Sequence, residues 1–345
     1  MKPSPRSSEP PRHLIAPVPA DRRRDGYRLV VAFGAIGVLG VVALSIGRPM
    51  VAPWDLTRLD PDDGVAHLIV TQIRAPRAVL AMVAGAALGV AGLLVQEGLK
   101  NPLAVPELLG VSSGAAAAVG IVAAWQIPVP GDVALVALVG GALGGSACLL
   151  AANRAASGAA VLLAGAAVSA GLQAILLTAL SLADSFSLPL LFRFLVGNLA
   201  GTGWADLGRP AIALTILAPI IVLSVPALSV LRLGDPTAAA LGLNPRRARA
   251  LVLGLAAALV AVVVPACGPI AWIGFAAPVV ARRLAVRATP GAWLIWSAVT
   301  GALIVLSADL LARTVLYPIE VPVGALTAAV ALTIGLVLRP RVDRA

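Results

Sequence analysis

Lys2 and Lys100 are the only lysines in this 345-residue chain, and neither follows the G-x-x-x-x-G-K-[ST] spacing that lets backbone N–H groups cradle a nucleotide phosphate. A nucleotide site of that kind is excluded. The two histidines, His13 and His67, have no Cys or His at ligand spacing, so neither a protein-built metal centre nor a cofactor is expected. Cys148 and Cys267 lie far apart in apolar stretches and read as buried thiols rather than a disulfide framework. Asp309 and Arg313 are four residues apart, a spacing that makes an ion pair on one helix face. Proton coupling is the sharper alternative for Asp309. Ionisable groups are otherwise almost absent from the centres of the apolar runs, where an ion-coupled carrier usually holds one. The chain therefore looks like a machine that borrows its energy from a partner.

Composition says which elements position these residues. Hydrophobic residues make up 59% of the chain and charged residues 12%. A water-soluble protein of this size could not cover its surface with so few charges. An ordinary cytosolic enzyme, a nucleic-acid-binding domain and a disordered chain are thereby excluded. Aromatic residues are only 4%, and the apolar runs are continuous rather than alternating, which favours α-helical spans over a girdled β-barrel. Residues 1–28 form a basic Pro-, Arg- and Ser-rich tail that is expected to be disordered, residues 29–339 the membrane domain, and residues 340–345 a second short tail. The first apolar run is longer than a signal-peptide core and reads as a retained span.

About ten spans are expected, at Leu29–Ile46, Ala78–Val95, Leu108–Trp125, Val133–Ala152, Ala159–Leu182, Pro210–Val230, Leu251–Cys267, Phe275–Val286, Trp293–Ala312 and Val321–Leu338. With the N-terminus inside, 19 of the 26 Lys and Arg fall on the inner side and 7 on the outer. That is the asymmetry cytoplasmic loops show, and it puts both termini in the cytoplasm. The net charge of +10 is thus read as topology rather than as a nucleic-acid footprint. Glycines four apart (Gly85/Gly89, Gly110/Gly114, Gly140/Gly144, Gly141/Gly145) allow helices to approach closely, either within the bundle or along a dimer seam.

Ordered motifs from about Val65 to Arg339 then carry a resemblance. They are Ile73-Arg74-Ala75-Pro76-Arg77, Ala84-Gly85-Ala86-Ala87-Leu88, Gln96, Asn101-Pro102-Leu103-Ala104-Val105-Pro106 and Leu109-Gly110-Val111-Ser112-Ser113-Gly114. Leu162-Leu163-Ala164-Gly165, Gly197-Asn198-Leu199-Ala200 and Gly234-Asp235-Pro236-Thr237-Ala238-Ala239-Ala240-Leu241-Gly242 follow. Gly268-Pro269-Ile270, Ile273-Gly274-Phe275, Ala308-Asp309-Leu310-Leu311-Ala312-Arg313 and Glu320-Val321-Pro322-Val323-Gly324 complete the set. In this order they resemble the permease subunits of ABC importers for iron-siderophores, haem and cobalamin. The chain departs from that pattern where the family usually has Pro-His-x-x-Arg. Here Pro278 is followed by Val279 and, two residues later, Ala281-Arg282.

The resemblance implies a type II importer permease: an all-α, ten-span protein that works as a homo- or heterodimer in the bacterial cytoplasmic membrane. Its partners would be two ATPase subunits and an extracellular or periplasmic substrate-binding protein. The implied cargo is an iron-siderophore complex, with cobalamin or haem next and an ion-coupled secondary transporter as the more distant alternative. By the same resemblance Gly234, Asp235, Ala238, Leu241 and Gly242 form a coupling segment against the ATPase. Ala238 and Leu241, three apart, are expected to share one face. Arg74, Arg77 and Arg313 are the implied docking points for binding-protein glutamates. Asn101 and Leu103, facing Ser157 and Gly158, are the implied cytoplasmic gate. The passage itself is expected to be apolar and lined by small residues, with little grip on its cargo.

Overall fold

The structure is a computed structural model that describes residues 22–55, 64–129, 132–153, 158–285 and 288–338. All of its regular elements in these residues are helical. In chain order they are α1 (Arg22–Ser45), α2 (Val65–Leu68), a π-helical stretch Ile69–Arg74, α3 (Ala75–Leu99), a 3-10 turn Pro106–Leu109 and α4 (Val111–Ala124). Then come α5 (Val133–Asn153), α6 (Gly158–Leu182), α7 (Leu188–Val196), α8 (Trp204–Leu231), α9 (Asp235–Ala240) and α10 (Pro245–Cys267). The last three are α11 (Ile273–Leu284), α12 (Pro290–Thr314) and α13 (Val323–Leu338). Seven of these helical stretches are long and apolar enough to cross a membrane, and α4 and α13 are shorter apolar helices. With the 12-residue α11, they occupy all ten stretches expected as spans. The first helix starts at Arg22, inside the stretch expected to be a disordered tail.

Helix α3 is the axis of the bundle. Much of it is buried, whereas α6 and α8 turn long apolar faces outward, with Leu163 and Leu223 among the most exposed side chains. Small residues explain the difference. A methyl group at Gly85 would overlap the backbone of Gly301 in α12, one at Gly89 would overlap Ser297, and one at Gly92 would overlap Gly274 in α11. The α4/α5 contact is built likewise, Gly114 lying against Gly140 and Gly144. These glycine pairs therefore close contacts within the chain.

Two irregular stretches lie inside the bundle. One is residues 268–272, between α10 and α11; the other runs from Gly197 to Gly203, after the short α7. Irregular backbone survives at membrane depth only where other protein groups or a cavity satisfy it. Here Asn198 N donates to Cys267 O at 2.9 Å and Gly324 N to Gly197 O at 3.3 Å, so the two breaks and the start of α13 support one another.

Candidate functional site

The break between α10 and α11 walls part of a cavity of about 380 Å³. It is bounded by the 3-10 turn, the starts of α4 and α13, the middle of α6, the end of α7 and the 269–271 backbone. Its apolar wall includes Phe194, Val196 and Ala328, and its polar side chains are Glu107, Ser112, Ser113, Ser169 and Gln173. Glu107 was not expected there. Residues 101–107 fall between two expected spans, yet Pro106 and Glu107 fold into the bundle. A Cβ on Gly274 would collide with Pro106, and Glu107 Oε1 accepts a hydrogen bond from Trp272 N at 2.9 Å. Glu107 thus holds the entry to α11 from 165 residues away. Ser169 Oγ donates to its backbone oxygen at 3.3 Å. The cavity is therefore not purely apolar, and an acid directly after Pro106 was the signal available for seeing it.

At one end of the bundle, α9 begins at Asp235 after Gly234, whose φ of 104° suits glycine. Lys100 Nζ lies 2.8 Å and Arg249 Nη2 3.0 Å from Asp235 Oδ1. Arg249 Nε also donates to Gly98 O at 3.0 Å. Hydrogen bonds from Lys100 first and Arg249 second hold the Asp235 carboxyl below its usual range. Ala238 and Leu241 differ sharply in exposure. Ala238 is fully buried, whereas α9 stops at Ala240 and leaves Leu241 in the following turn with its side chain 62% exposed. Gly242, with φ 82°, turns the chain toward α10.

The same end carries Asn101, whose Oδ1 accepts from Leu103 N at 2.9 Å and so shapes the turn. Leu103 is exposed. Gly158 opens α6, and Ser157 lies outside the described residues. Beside this turn Glu97 accepts from Arg282 Nη2 at 2.9 Å and lies 3.1 Å from Arg232 Nε. Arg282 Nη1 also donates to Gln96 at 2.6 Å. Arg232 stacks over the Trp293 ring, 4.4 Å from its centroid. The sequence quoted Gln96 and Arg282 as motif residues but gave no sign of this joint between α3, α8, α11 and α12. Val279, which stands where the family usually has histidine, is buried in an apolar cluster with Val105, Phe275, Ala276 and Ala331.

At the opposite end Arg74, Arg77 and Arg313 gather around one depression of about 430 Å³, which Glu320 also lines. They are not free guanidinium groups. Arg77 Nε donates to Asp309 Oδ1 at 2.8 Å, and its Nη1 donates to both oxygens of Glu320 at 3.1 and 2.9 Å. Arg74 donates to the carbonyls of Leu44 and Pro49, and Arg313 to those of Ala43 and Ile46. The expected Asp309–Arg313 pair is present but loose, at 3.9 Å. Pro76 explains the π-helical start: it has no N–H to return to Thr71 O, and the Trp204 indole takes that carbonyl at 2.9 Å. Cys148 and Cys267 are both buried and free. Among the described residues no group of three His, Cys, Asp or Glu could hold a metal ion.

Comparison with known proteins agrees with this architecture. The sequence matches the model of the FecCD transport family over residues 35–338. It is 33% identical to the Fe(3+)-citrate import system permease protein YfmE of Bacillus subtilis, over 85% of this chain and 88% of that protein. It is 35% identical to the Fe(3+) dicitrate transport system permease protein FecD of Escherichia coli, over 87% of this chain and 95% of that one. The hemin transport system permease protein HmuU of Yersinia pestis is 33% identical over 89% of this chain and 94% of its own length. Among solved structures, an inward-facing metal-chelate type ABC transporter superposes with a TM-score of 0.81 at 26% identity, covering 91% of this chain and 98% of the other.

Proposed function

This chain belongs to the FecCD transport family, and we propose from that premise that it is the membrane-spanning permease subunit of an ATP-binding-cassette importer for an iron-siderophore chelate. The observation that carries the proposal is the cavity beside Glu107, walled in part by the irregular backbone at Pro269 and Ala271 inside an otherwise helical, apolar bundle. Such backbone at membrane depth implies a passage rather than a plain anchor. Relatives named for iron-citrate and siderophore import outnumber the one named for hemin among those compared most directly, which favours a siderophore over haem.

The protein is a multi-pass membrane protein, and the positive-inside asymmetry supports an orientation in a bacterial inner membrane with both termini and α9 on the cytoplasmic side. In this orientation α9 is the contact for an ATPase subunit. Gly234 and Gly242 allow its sharp entry and exit, Asp235 and buried Ala238 fix it to α3 and α10, and exposed Leu241 meets the ATPase groove. Lys100 joins α9 directly to the turn of Asn101 and Leu103, so movement of α9 reaches the cytoplasmic gate without crossing flexible chain. Gly158 at the start of α6 is the facing wall of that gate, with Ser157 beside it in sequence.

Outside, the depression around Arg74, Arg77 and Arg313 is the docking point for a substrate-binding protein. A glutamate of that protein would compete with Glu320 for Arg77, because Glu320 is the more exposed of its two acidic partners. The outward apolar faces of α6 and α8 leave room for lipid and for a second permease subunit, identical or related.

The decisive experiment reconstitutes the permease with its ATPase and binding protein in liposomes and follows radiolabelled ferric chelate. Uptake that needs ATP and all partners is expected. Accumulation by the permease alone, driven by an imposed sodium or pH gradient, would overturn the proposal in favour of a secondary carrier.

A further inference from the structure

A groove of about 400 Å³ lies between the starts of α5 and α8, with the end of α10 as its floor. Its walls are apolar and face outward: Leu135 and Leu138 of α5 and Ile212 and Ile216 of α8 are all exposed. Its rim carries Asp132, Asp206 and Arg209. Asp206 and Arg209 are three apart on α8, a spacing that allows them to pair, yet each turns elsewhere. Asp206 Oδ2 accepts from Gly203 N at 2.8 Å, and Arg209 Nη1 donates to Asp132 Oδ2 at 2.7 Å. Among the described residues, Asp206 Oδ1 and the Nε and Nη2 of Arg209 have no protein partner. The Ala134 N–H and then Arg209 hold the Asp132 carboxyl, which precedes α5, below its usual range, so it is charged at neutral pH and keeps the guanidinium at the rim. Prolines add acceptors. Pro265 has no N–H for the carbonyl of Ala261, nor Pro210 for that of Asp206, and all four residues line the groove. Trp204, exposed at the start of α8 with its indole on Thr71 O, sits as an aromatic residue does at a membrane–water interface. The charged rim is therefore at headgroup level and the apolar walls run into the hydrocarbon.

We propose that this groove binds one phospholipid whose head carries both a phosphate and a protonated amine, as phosphatidylethanolamine does. The phosphate takes the free N–H groups of Arg209, the ammonium takes Asp206 Oδ1, and an acyl chain lies over Leu135, Leu138, Ile212 and Ile216. Any lipid chain would cover these walls, so the head decides which lipid stays. Two carboxylates face one guanidinium at the rim, and an anionic head without an amine meets that excess of negative charge. A trimethylated amine keeps its charge but has no N–H to donate to Asp206 or to the carbonyls that the prolines free. The groove shares no lining residue with the cavity beside Glu107 or with the depression around Arg77, so the proposal is independent of what the protein transports.

The test is native mass spectrometry of the full-length permease, delipidated in detergent and titrated with phosphatidylethanolamine, phosphatidylcholine or phosphatidylglycerol of matched acyl chains. The wild type is expected to hold phosphatidylethanolamine about fivefold more tightly than either of the others, the order of one exposed charged contact. Asp206→Asn keeps an oxygen for Gly203 N and removes the charge, so α8 keeps its start while the ammonium loses its partner. In that variant the preference over phosphatidylcholine should vanish, with phosphatidylcholine binding unchanged. Arg209→Gln should weaken both lipids alike, because both carry the phosphate. Equal affinity of the wild type for the three lipids overturns the proposal, and that comparison stands whether or not a variant folds. A preference that survives in Asp206→Asn overturns it too, since the amine is then read elsewhere. Lipid found on monomers but not on dimers would give the groove to a second copy of the chain and overturn it as well.

Discussion

Nζ of Lys100 lies 2.8 Å from Oδ1 of Asp235, which fastens the first residue of α9 to the turn that ends α3. Lys100 reaches it from a left-handed backbone conformation, φ 52°, the one that lets α3 stop and the Asn101 turn begin. Arg249 takes the same carboxylate from α10. Helix α9, the Asn101 turn and α10 therefore meet at one side chain.

Asp235→Asn should leave the fold intact and weaken communication between ATPase and gate. The carboxylate is about half exposed, so its ion pairs add little to stability at neutral pH. The pH dependence has a definite sign. The folded Asp235 is depressed by Lys100 and Arg249, so its contribution is complete above the ordinary carboxylate value of about 3.9 and is lost as pH falls through the lower folded value. Thermal melts of the detergent-solubilised protein should lose part of their acid-side slope in Asp235→Asn, lying slightly below wild type near pH 7 and converging with it as the pH falls through the folded value. Stimulation of ATPase activity by the binding protein should fall several-fold in the reconstituted complex.

Leu241→Asp should uncouple more severely. Leu241 is an exposed apolar side chain at the edge of α9 and packs against nothing whose loss would unfold the bundle. A charge there faces the desolvated groove of the ATPase, where an unpaired carboxylate costs several kcal/mol. Copurification of the ATPase with the permease should drop at least tenfold while membrane insertion stays normal. Equal copurification would remove Leu241 from the contact.

The seven long helices were legible in the sequence because each is a long apolar window, and windows are local. The short α7 was not, because nine residues after Ser187 do not distinguish a re-entrant helix from a loop. Leu241 caps α9 three residues after Ala238, and only packing decides that Ala238 is buried while Leu241 is exposed. Glu107 drew no attention in the sequence, standing singly between Pro106 and Leu108. What draws it inward is Trp272, and no local pattern encodes a partner so distant in the chain. The arginines show the complementary limit. Spacing locates Arg74, Arg77 and Arg313 at span ends, but only packing decides that they turn to the carbonyls of α1 and to Asp309.

Gly92→Ala should destabilise the bundle by about 1–3 kcal/mol, the usual cost of forcing a methylene into a packed contact. The new methyl would overlap Gly274, the second residue of α11, so α3 and α11 must separate. Gly171→Ala is the matched control, since a Cβ there meets nothing. The pair can be compared by thermal melting in one detergent, with a lowered midpoint expected only for Gly92→Ala.

Arg77 gives a prediction with two arms. Its guanidinium is buried together with Asp309, whose side chain is only 2% exposed. Arg77→Ala strands that carboxylate and should cost about 3–5 kcal/mol, seen as a lower melting temperature and poor yield. A loss of binding-protein affinity in that variant would therefore say little about docking. Glu320→Gln separates the two. Glu320 holds only Nη1 of Arg77, and Asp309 keeps Nε in place. If a glutamate of the binding protein competes for Arg77, removing the charge of Glu320 strengthens the complex severalfold, and the gain shrinks as salt screens the new pair. Surface plasmon resonance at about 50 and 300 mM salt would measure it. Weaker or unchanged affinity at both salts would make the arginine cluster an internal brace for α1 and α12 and nothing more.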